Sequence, residues 1–192
     1  MTPPARPLVV VVIGSECTGK TTLAGELARL FDVPWSKEFA REYVGRKPTA
    51  LDASDVEPIA RGQAAGEQAA ELDAAARGRG LVVRDTDLYS TTVYSRHYYG
   101  SCPAWVEEAA RERAGDLYLL LCPDVPWVPD GPYRDRPDED DRRRIHGQFR
   151  GALARAGVRV VEIRGSWGDR RAQAVSAVAS LTGLAEPPAA AR

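Results

Sequence analysis

Short apolar runs alternate with longer amphipathic segments along most of this chain. The first run, Leu8–Ile13, is continuous and rich in β-branched residues, which is typical of a strand buried on both faces of a sheet. The segment after it repeats leucine at helical spacing, which predicts a helix over Thr21–Phe31. Further strands are predicted at Val33–Ser36, Leu81–Asp85, Leu117–Cys122 and Val158–Ile163.

Helical patterns fill the intervals between these strands. Further helices are predicted at Glu38–Gly45, Ser54–Arg77, Leu88–Tyr99, Pro103–Ala114 and Ala172–Gly183. A capping box at Ser54–Glu57 is expected to begin the second of them. Apolar strands that alternate with helices form βαβ units, so the predicted fold is a three-layer α/β domain with a parallel sheet between two layers of helices.

One segment interrupts this alternation. Val125–Pro137 holds four prolines and a glycine, a composition that is incompatible with a regular helix or strand. The acidic and then basic run that follows, Asp138–Arg144, suits the start of a helix, whose dipole favours anions. We therefore predict a lid over residues 125–144 within one domain at residues 8–184. Residues 1–7 and 185–192, rich in proline and alanine, are predicted to be disordered.

Composition narrows the class of protein. The 192 residues are 44% hydrophobic and 28% charged with a net charge of −1, which suits a globular domain and argues against binding to duplex DNA or to anionic membranes. The run Leu8–Ile13 is too short for a signal-peptide core or a membrane span. Cys17, Cys102 and Cys122 form no disulfide or metal-ligand spacing pattern, so neither a disulfide nor a zinc site is predicted. We expect a cytoplasmic protein with reduced thiols.

The junction between the first strand and its helix carries a complete phosphate-loop motif, GSECTGKT. Glycines let successive backbone N–H groups point at phosphate oxygens, and the helix N-terminus adds partial positive charge. Lys20 is expected to reach the β- and γ-phosphates, and Thr21 to offer its hydroxyl to Mg²⁺. The motif predicts binding of ATP or GTP with Mg²⁺. The predicted nucleotide-binding residues are Gly14, Ser15, Glu16, Cys17, Thr18, Gly19, Lys20, Thr21 and Thr22.

Carboxylates follow two predicted strands, at the edge of the sheet where ligands of such folds bind. Asp85 is predicted to hold Mg²⁺. If the chain stays extended, Asp87 lies on the same face as Asp85 and is predicted to contact a substrate hydroxyl. The alternative is that Asp87 is the N-cap of the next helix, and the two roles do not exclude each other. Glu38 is predicted to act as a base or to bind a hydroxyl near the γ-phosphate. Arg41 and Glu42 share its helical face and serve either the substrate or a solvated, salt-bridged surface.

Two arginines, Arg134 and Arg136, lie in the proline-rich lid segment. Mobile loops with arginines close over phosphates and neutralise the transferring group, so both residues are predicted to be catalytic. The arginine-rich composition leaves open the alternative that they are solvated surface residues.

The chain resembles the ribosylnicotinamide kinase domain of NadR-type NAD-biosynthesis proteins in four segments that follow in the same order: GSECTGKTTL, EFAREYV, VVRDTDLYSTTVY and DLYLLLCPDVPWVPDGPYRDRP. The resemblance extends from about Leu8 to Leu184. It implies a P-loop fold like that of nucleoside and nucleoside-monophosphate kinases. It also implies ATP as the phosphoryl donor and the 5′-hydroxyl of nicotinamide riboside as the acceptor, with nicotinamide mononucleotide as the product.

The chain departs from this family pattern in two respects. Members often have an aromatic residue directly before the glutamate that matches Glu38, whereas this chain has Lys37 there. Trp35, two residues before Lys37, is the aromatic candidate for contact with the nucleoside. Longer members also carry a DNA-binding segment and an adenylyltransferase domain with an HxGH motif, and neither activity is expected of this chain.

Three functions remain open from the sequence. The first is phosphorylation of nicotinamide riboside, and the second is phosphorylation of another nucleoside or small alcohol. The third is a regulatory P-loop ATPase without a small acceptor. Acceptor-side carboxylates and arginines in a lid favour a kinase over a switch protein.

Overall fold

The computed structural model describes residues 6–126 and 139–184. Within these residues, five parallel strands form one sheet in the order β2-β3-β1-β4-β5. The strands are β1 (Leu8–Gly14), β2 (Trp35–Ser36), β3 (Leu81–Asp85), β4 (Leu117–Leu121) and β5 (Val160–Ile163). The helices are α1 (Lys20–Phe31), α2 (Phe39–Arg46), α3 (Val56–Ala76), α4 (Leu88–Tyr99), α5 (Ala104–Glu112), α6 (Glu139–Ala156) and α7 (Trp167–Thr182).

The central strand β1 is buried on both faces. Its side chains alternate between two apolar clusters: Val9 and Val11 pack with α3, α4, α5 and α6, whereas Val10 and Val12 pack with α1 and α7. This arrangement confirms the predicted three-layer fold. It also explains the continuous apolar sequence of β1, because a strand covered by helices on both sides needs no polar face.

The strand register positions the loop that follows β1. Val12 pairs with Asp85 and Gly14 pairs with Leu121, so the chain leaves β1 between the carboxyl ends of β3 and β4. Strands β2 and β3 lie on one side of β1, and β4 and β5 lie on the other. In open α/β sheets, ligands bind at such a switch point, outside the carboxyl ends of the strands.

The helix predicted to begin at Ser54 begins differently. Asp52 and Asp55 form the capping box, and a 3₁₀ turn over Ala53–Asp55 precedes α3. The prediction of a box at Ser54–Glu57 is therefore wrong by two residues. The helix start is shifted because an aspartate side chain accepts a hydrogen bond from a backbone N–H at least as well as a serine does.

The last helix begins earlier than predicted. α7 starts at Trp167 rather than Ala172, because Ser166 and Asp169 form a capping box directly after β5. The apolar periodicity used for the prediction appears only in the buried half of this helix, which contains Ala174 and Val178.

The ends of the chain and the lid are described only in part. The prediction that residues 1–7 are disordered is wrong for Arg6 and Pro7: Arg6 forms an ion pair with Asp116 at 2.8 Å, and Pro7 is buried. Residues 127–138 of the predicted lid lie outside the described residues, as do residues 185–192, whereas residues 139–144 form the start of α6. None of the described helices is both long enough and apolar enough to span a membrane.

Candidate active site

The phosphate loop joins β1 to α1. Cys17 and Gly19 have positive φ angles of 54° and 87°, the kind of backbone that lets successive N–H groups converge on an anion. The Thr18 hydroxyl and the Lys20 ammonium both donate to the Ser15 carbonyl oxygen, at 2.9 and 3.0 Å. The Lys20 side chain is therefore buried across the loop, where its charge faces any phosphate that the loop holds.

This loop packs tightly against β4 and α7. A Cβ atom at Gly14 would lie 2.7 Å from the Leu121 carbonyl oxygen, so only glycine fits there. The Arg170 guanidinium, 1% exposed, donates to the carbonyl oxygens of Thr18 at 3.4 Å and Cys122 at 2.9 Å. This buried cation ties the phosphate loop to the end of β4.

Trp167, the first residue of α7, lies beside the loop. A Cβ atom at Gly19 would be 2.9 Å from the Trp167 ring, and the tryptophan is 41% exposed. An exposed aromatic ring next to a phosphate loop offers a face on which a nucleotide base can stack. Neither Trp167 nor Arg170 was predicted from the sequence. The S-x-x-D pattern at Ser166–Asp169 was the available signal, because it predicts a helix start directly after the apolar run of β5.

Asp85 ends β3 beside the phosphate loop. Its side chain is fully buried, and both carboxylate oxygens lack a hydrogen-bond partner among the described residues. Burial raises the pKa of Asp85 to about 6, the nearby Glu38 carboxylate acts in the same direction, and Thr21 and Lys20 oppose both. Oxygen ligands are those that Mg²⁺ prefers, so Thr21 and Asp85 are the residues that would hold this ion.

Replacing Asp85 by asparagine is expected to stabilise the protein in the absence of Mg²⁺ and nucleotide. The pKa of Asp85 is raised from 3.8 to about 6, so the folded state loses stability as the pH rises from about 4 to about 6 and stays at that lower level above it. At about pH 8 the variant should gain about 1–3 kcal/mol of unfolding free energy, less than the full shift implies because its buried amide also lacks partners.

The measurement is urea unfolding of both proteins at about pH 8 and about pH 4, with and without Mg²⁺ and nucleotide. Below about pH 4 the difference should vanish, because the wild-type carboxyl is then protonated in the folded and unfolded states. Mg²⁺ added to the nucleotide-bound proteins should stabilise the wild type further and have little effect on the variant. Equal stabilisation of both proteins would place the metal away from Asp85.

Glu38 lies at the N-terminal end of α2, close to Asp85. Its charge is the second-largest cause of the raised pKa of Asp85, and Arg41 acts on the same carboxyl in the opposite direction. The Arg41 Nε atom is 3.8 Å from Glu38 Oε2, and the Glu38 side chain is only 12% exposed. Glu38 and Arg41 therefore lie near Asp85, Thr21 and Lys20.

Glu42 and Trp35 have other partners. Glu42 is exposed and forms an ion pair with Arg46. The Trp35 ring packs against α1, 3.5 Å from the position of a Cβ atom at Gly25, and belongs to the edge of an apolar cluster. Both residues were predicted to bind substrate, and that role stays a prediction beside these contacts.

Asp87 turns away from Asp85. The prediction that the two share a face assumed an extended chain, but Thr86 between them has a φ of 63°. Asp87 is buried and accepts hydrogen bonds from the Tyr89 backbone N–H at 2.9 Å and from the Tyr118 hydroxyl at 2.6 Å. The structure thus supports the capping alternative for Asp87, with burial raising the pKa of its carboxyl.

Gln63, on α3, connects the two halves of the site. Its Oε1 atom accepts from the Phe39 N–H at 2.9 Å, and its Nε2 atom donates to the Thr86 carbonyl oxygen at 3.3 Å. Gln63 therefore fixes the start of α2, next to Glu38, against the turn that follows Asp85. No sequence motif marks it, because its partners are backbone groups far along the chain.

A buried ionic network lies behind this turn. Glu67 is fully buried, and its Oε2 atom is 3.3 Å from both Arg84 and Arg113. Arg84 also lowers the pKa of the neighbouring Asp87 carboxyl, against the effect of burial. These charges compensate one another inside the protein, which gives them a structural role.

Replacing Asp87 by asparagine is expected to lower the unfolding free energy by about 1–3 kcal/mol, because a buried hydrogen bond from the Tyr118 hydroxyl is lost. Turnover at temperatures well below the melting point should change little. Tyr118→Phe removes the same bond from the other side, so a double-mutant cycle in denaturant should show strongly non-additive losses. Loss of turnover in Asp87→Asn without loss of stability would restore the predicted catalytic role.

The two predicted lid arginines, Arg134 and Arg136, lie outside the described residues.

Arg142, on α6, is a buried arginine that was not predicted as a site residue. It is buried and donates from Nη1 to the Val125 carbonyl oxygen at 3.0 Å, and its Nε and Nη2 atoms have no partner among the described residues. A buried N–H group without a hydrogen-bond partner lowers the stability of the folded protein, so Arg142 is a further candidate for contact with an anion.

Comparison with known families gives a match over most of the chain. A family model described as an AAA domain matches residues 9–170. The trifunctional NAD biosynthesis/regulator protein NadR of Escherichia coli (strain K12) is 34% identical over 127 residues, which are 64% of this chain and 30% of that protein. NadR of Salmonella typhimurium matches with the same identity and coverage. The match therefore spans less than a third of the length of these curated relatives.

Solved structures extend the comparison to nearly the whole chain. A NadR protein in complex with NR has a TM-score of 0.77 and 30% identity, over 97% of this chain and 54% of that one. A NadR protein in complex with NAD and AMP-PNP has a TM-score of 0.73 and 29% identity, over 93% and 50% of the two chains. These matches confirm the resemblance predicted from the sequence.

A thymidylate kinase from Ehrlichia chaffeensis supports the same fold. It has a TM-score of 0.65 over 92% of this chain and all of that one, at 13% identity. At that identity the likeness concerns the fold alone. The predicted P-loop kinase fold is therefore confirmed.

Proposed function

This chain belongs to the family of AAA domains, and from that membership and the geometry of the site we propose that it is a kinase for nicotinamide riboside. In this reaction the γ-phosphoryl group of ATP is transferred to the 5′-hydroxyl of the riboside, which gives ADP and nicotinamide mononucleotide. The acceptor oxygen forms a bond to phosphorus, its proton is lost, and the bond from phosphorus to the ADP oxygen breaks.

The juxtaposition of Glu38 with Asp85 beside the phosphate loop carries this proposal. A nucleotide-binding switch needs the loop and a metal-binding carboxylate, whereas a second carboxylate on the open side serves an acceptor. Glu38 follows β2 at the carboxyl edge of the sheet, and its charge adds to burial in raising the pKa of Asp85, so the two carboxylates lie close together. The NadR structures support the same substrates, since one holds NR and the other holds NAD with AMP-PNP.

Nucleotide binding would use the whole phosphate loop. Its backbone N–H groups and the start of α1 would surround the β-phosphate, and Lys20 would leave the Ser15 carbonyl to follow the γ-phosphoryl group. Thr21 and Asp85 would hold Mg²⁺, which neutralises charge on the phosphates when it is bound. The buried Arg170 would hold the loop backbone in place through its hydrogen bond to the Thr18 carbonyl oxygen.

Glu38 would receive the acceptor hydroxyl. Phosphoryl transfer depends mainly on positioning, so a carboxylate that accepts a hydrogen bond from the 5′-hydroxyl directs its oxygen toward the γ-phosphorus. Arg41, 3.8 Å from Glu38, adds positive charge near the transferring group. Gln63 fixes the backbone at Phe39 and thereby the direction of Glu38.

Arg134 and Arg136 are proposed to stabilise the transferring phosphoryl group. Changing either to alanine is expected to lower kcat at least about tenfold with a smaller rise in KM, since their contacts tighten in the transition state. Steady-state kinetics with both substrates varied would measure this. A variant that raises KM alone would show a role in binding only.

A neutral nucleoside is the second candidate acceptor, and one observation favours it. The position before Glu38 carries Lys37, and its ammonium lies 5.8 Å from the ring centre of Trp35. The tryptophan ring is packed against α1. A positive charge near the acceptor site disfavours a cationic pyridinium ring relative to a neutral base.

A nucleoside panel tests the proposal. ADP release is measured with nicotinamide riboside, adenosine, uridine, cytidine and thymidine as acceptors, and kcat/KM is compared across them. We expect nicotinamide riboside to give the highest value. A higher value for a neutral nucleoside would leave the fold and mechanism in place and replace the substrate.

The cytoplasmic location and the lack of nucleic-acid partners remain predictions.

A further inference from the structure

A cysteine, a histidine and a glutamate from three elements meet near the carboxyl edge of the sheet. Cys122 directly follows β4, His146 lies on α6, and Glu162 lies on β5. Their ligand atoms all lie within 4.8 Å of one another. The Cys122 Sγ atom is 3.9 Å from His146 Nε2 and 3.8 Å from Glu162 Oε2. The proposed kinase reaction uses none of these side chains.

We propose that Cys122, His146 and Glu162 bind a divalent transition-metal ion, for which Zn²⁺ is the best match. Thiolate, imidazole and carboxylate are the three ligand types that zinc accepts, at about 2.3, 2.0 and 2.0 Å in a tetrahedral arrangement. Those bond lengths separate neighbouring ligand atoms by about 3.5 Å. The two separations from Cys122 Sγ need to shorten by only a few tenths of an ångström, the one between His146 and Glu162 by up to about 1.3 Å, and water supplies the fourth ligand.

The geometry separates this site from a nucleophilic triad. In a cysteine–histidine–carboxylate triad, the carboxylate binds the far nitrogen of the histidine ring and orients it. Here Glu162 contacts the cysteine sulfur, and the His146 Nδ1 atom is buried with no hydrogen-bond partner among the described residues. Cys122, His146 and Glu162 therefore converge on one point, as the ligands of a bound ion do, and do not form the chain of hydrogen bonds of a triad.

The surroundings of the cluster suit a metal site. Glu162 Oε2, the oxygen nearest Cys122, forms an ion pair with Arg164, so an ion bound to Glu162 would use Oε1 or replace this contact. Cys122 is buried, whereas His146 and Glu162 are half-buried, so an ion can enter from their side. The hard cation Mg²⁺ prefers oxygen ligands and is a poor match for a thiolate.

The site adjoins the phosphate loop through Arg170. The Cys122 carbonyl oxygen accepts a hydrogen bond from Arg170 at 2.9 Å, and Arg170 also donates to the Thr18 carbonyl oxygen in the loop. An ion on the Cys122 side chain would therefore fix β4, β5 and α6 at a point that supports the loop. No spacing motif marks this site, and no zinc site was predicted, because His146 and Glu162 lie 24 and 40 positions from Cys122.

Cobalt provides the probe for this site. The full-length protein, freed of metal with a chelator, is titrated with Co²⁺ in the presence of excess Mg²⁺, which occupies the oxygen ligands at Asp85. We expect one equivalent of Co²⁺ to produce a thiolate-to-cobalt charge-transfer band and the strong visible absorption of a tetrahedral ion. Zn²⁺ should then abolish both signals by displacement and raise the melting temperature.

Variants of each ligand complete the test. Cys122→Ser should eliminate the charge-transfer band, and His146→Gln and Glu162→Gln should each weaken Co²⁺ binding by at least about tenfold. Cys102→Ser is the matched control and should bind as the wild type does. If Cys122→Ser fails to fold, the two half-buried ligands still decide the question. Absence of the band in the wild type, or normal Co²⁺ binding by His146→Gln and Glu162→Gln, would overturn the proposal.

Discussion

Replacement of Lys20 by alanine is expected to reduce phosphoryl transfer by at least about a thousandfold, several kcal/mol of transition-state stabilisation. The ammonium is buried across the phosphate loop, 3.0 Å from the Ser15 carbonyl oxygen, where no other lysine is available to replace it. Its charge moves with the migrating group, so its loss affects the transition state more than the bound nucleotide. ADP release under saturating ATP and acceptor measures the effect.

Lys37→Ala is the matched control for this prediction. Lys37 is exposed and lies over the Trp35 ring rather than in the loop. Its loss should leave kcat nearly unchanged and, for a cationic acceptor, lower KM. A Lys20→Ala protein that melts like the wild type and keeps its kcat would show that the loop does not work as a phosphate site.

Glu38→Gln is expected to lower acceptor phosphorylation by about a hundredfold or more while ATP binding is preserved. The amide keeps the size of the side chain, but its NH₂ group cannot accept the proton of the acceptor hydroxyl. The variant should also weaken binding of a cationic acceptor more than binding of a neutral one, because a negative charge is lost. Isothermal titration with AMP-PNP and kinetics with the acceptor separate the two effects.

Glu42→Gln provides the comparison on the same helix. Glu42 lies one residue beyond Arg41 and pairs with Arg46 on the exposed face of α2. Exposed pairs of this kind contribute about 0.3–0.5 kcal/mol, so the variant should retain its activity and stability. Equal losses in Glu38→Gln and Glu42→Gln would indicate a general effect of charge rather than a directed hydroxyl.

The fold was predictable because its signals are local and repeated. The continuous apolar sequence of β1 reflects burial on both faces, and the glycines and lysine after it mark the phosphate loop. Boundaries were less predictable where capping residues compete. Asp52 replaced the expected Ser54, and Ser166 began α7 five residues before its apolar periodicity became visible.

Within the site, the sequence located side chains whose positions follow directly from a strand end. Asp85 ends β3, and Glu38 begins α2 after the short β2, so both reach the same edge. Asp87 was ambiguous because one backbone angle decides its direction. Thr86 adopts a φ of 63°, a conformation that residue type alone does not predict for threonine.

Long-range partners were beyond the reach of sequence patterns. Gln63 contacts backbone groups 24 and 23 residues away, and Arg170 reaches the phosphate loop across 152 residues. The cluster of Cys122, His146 and Glu162 was not predicted for the same reason, because its residues are far apart in the sequence. Such contacts become apparent only when the sheet order brings the ends of β3, β1, β4 and β5 side by side.

Identification of the products made by the wild-type protein tests the central claim most directly. The protein is incubated with ATP, Mg²⁺ and nicotinamide riboside, and ADP and phosphorylated riboside are quantified together by mass spectrometry, with the phosphorylated position assigned by NMR. The account predicts equal amounts of ADP and riboside phosphorylated at the 5′-oxygen. ADP formed without any phosphorylated riboside, at a rate that the riboside does not change, would contradict it.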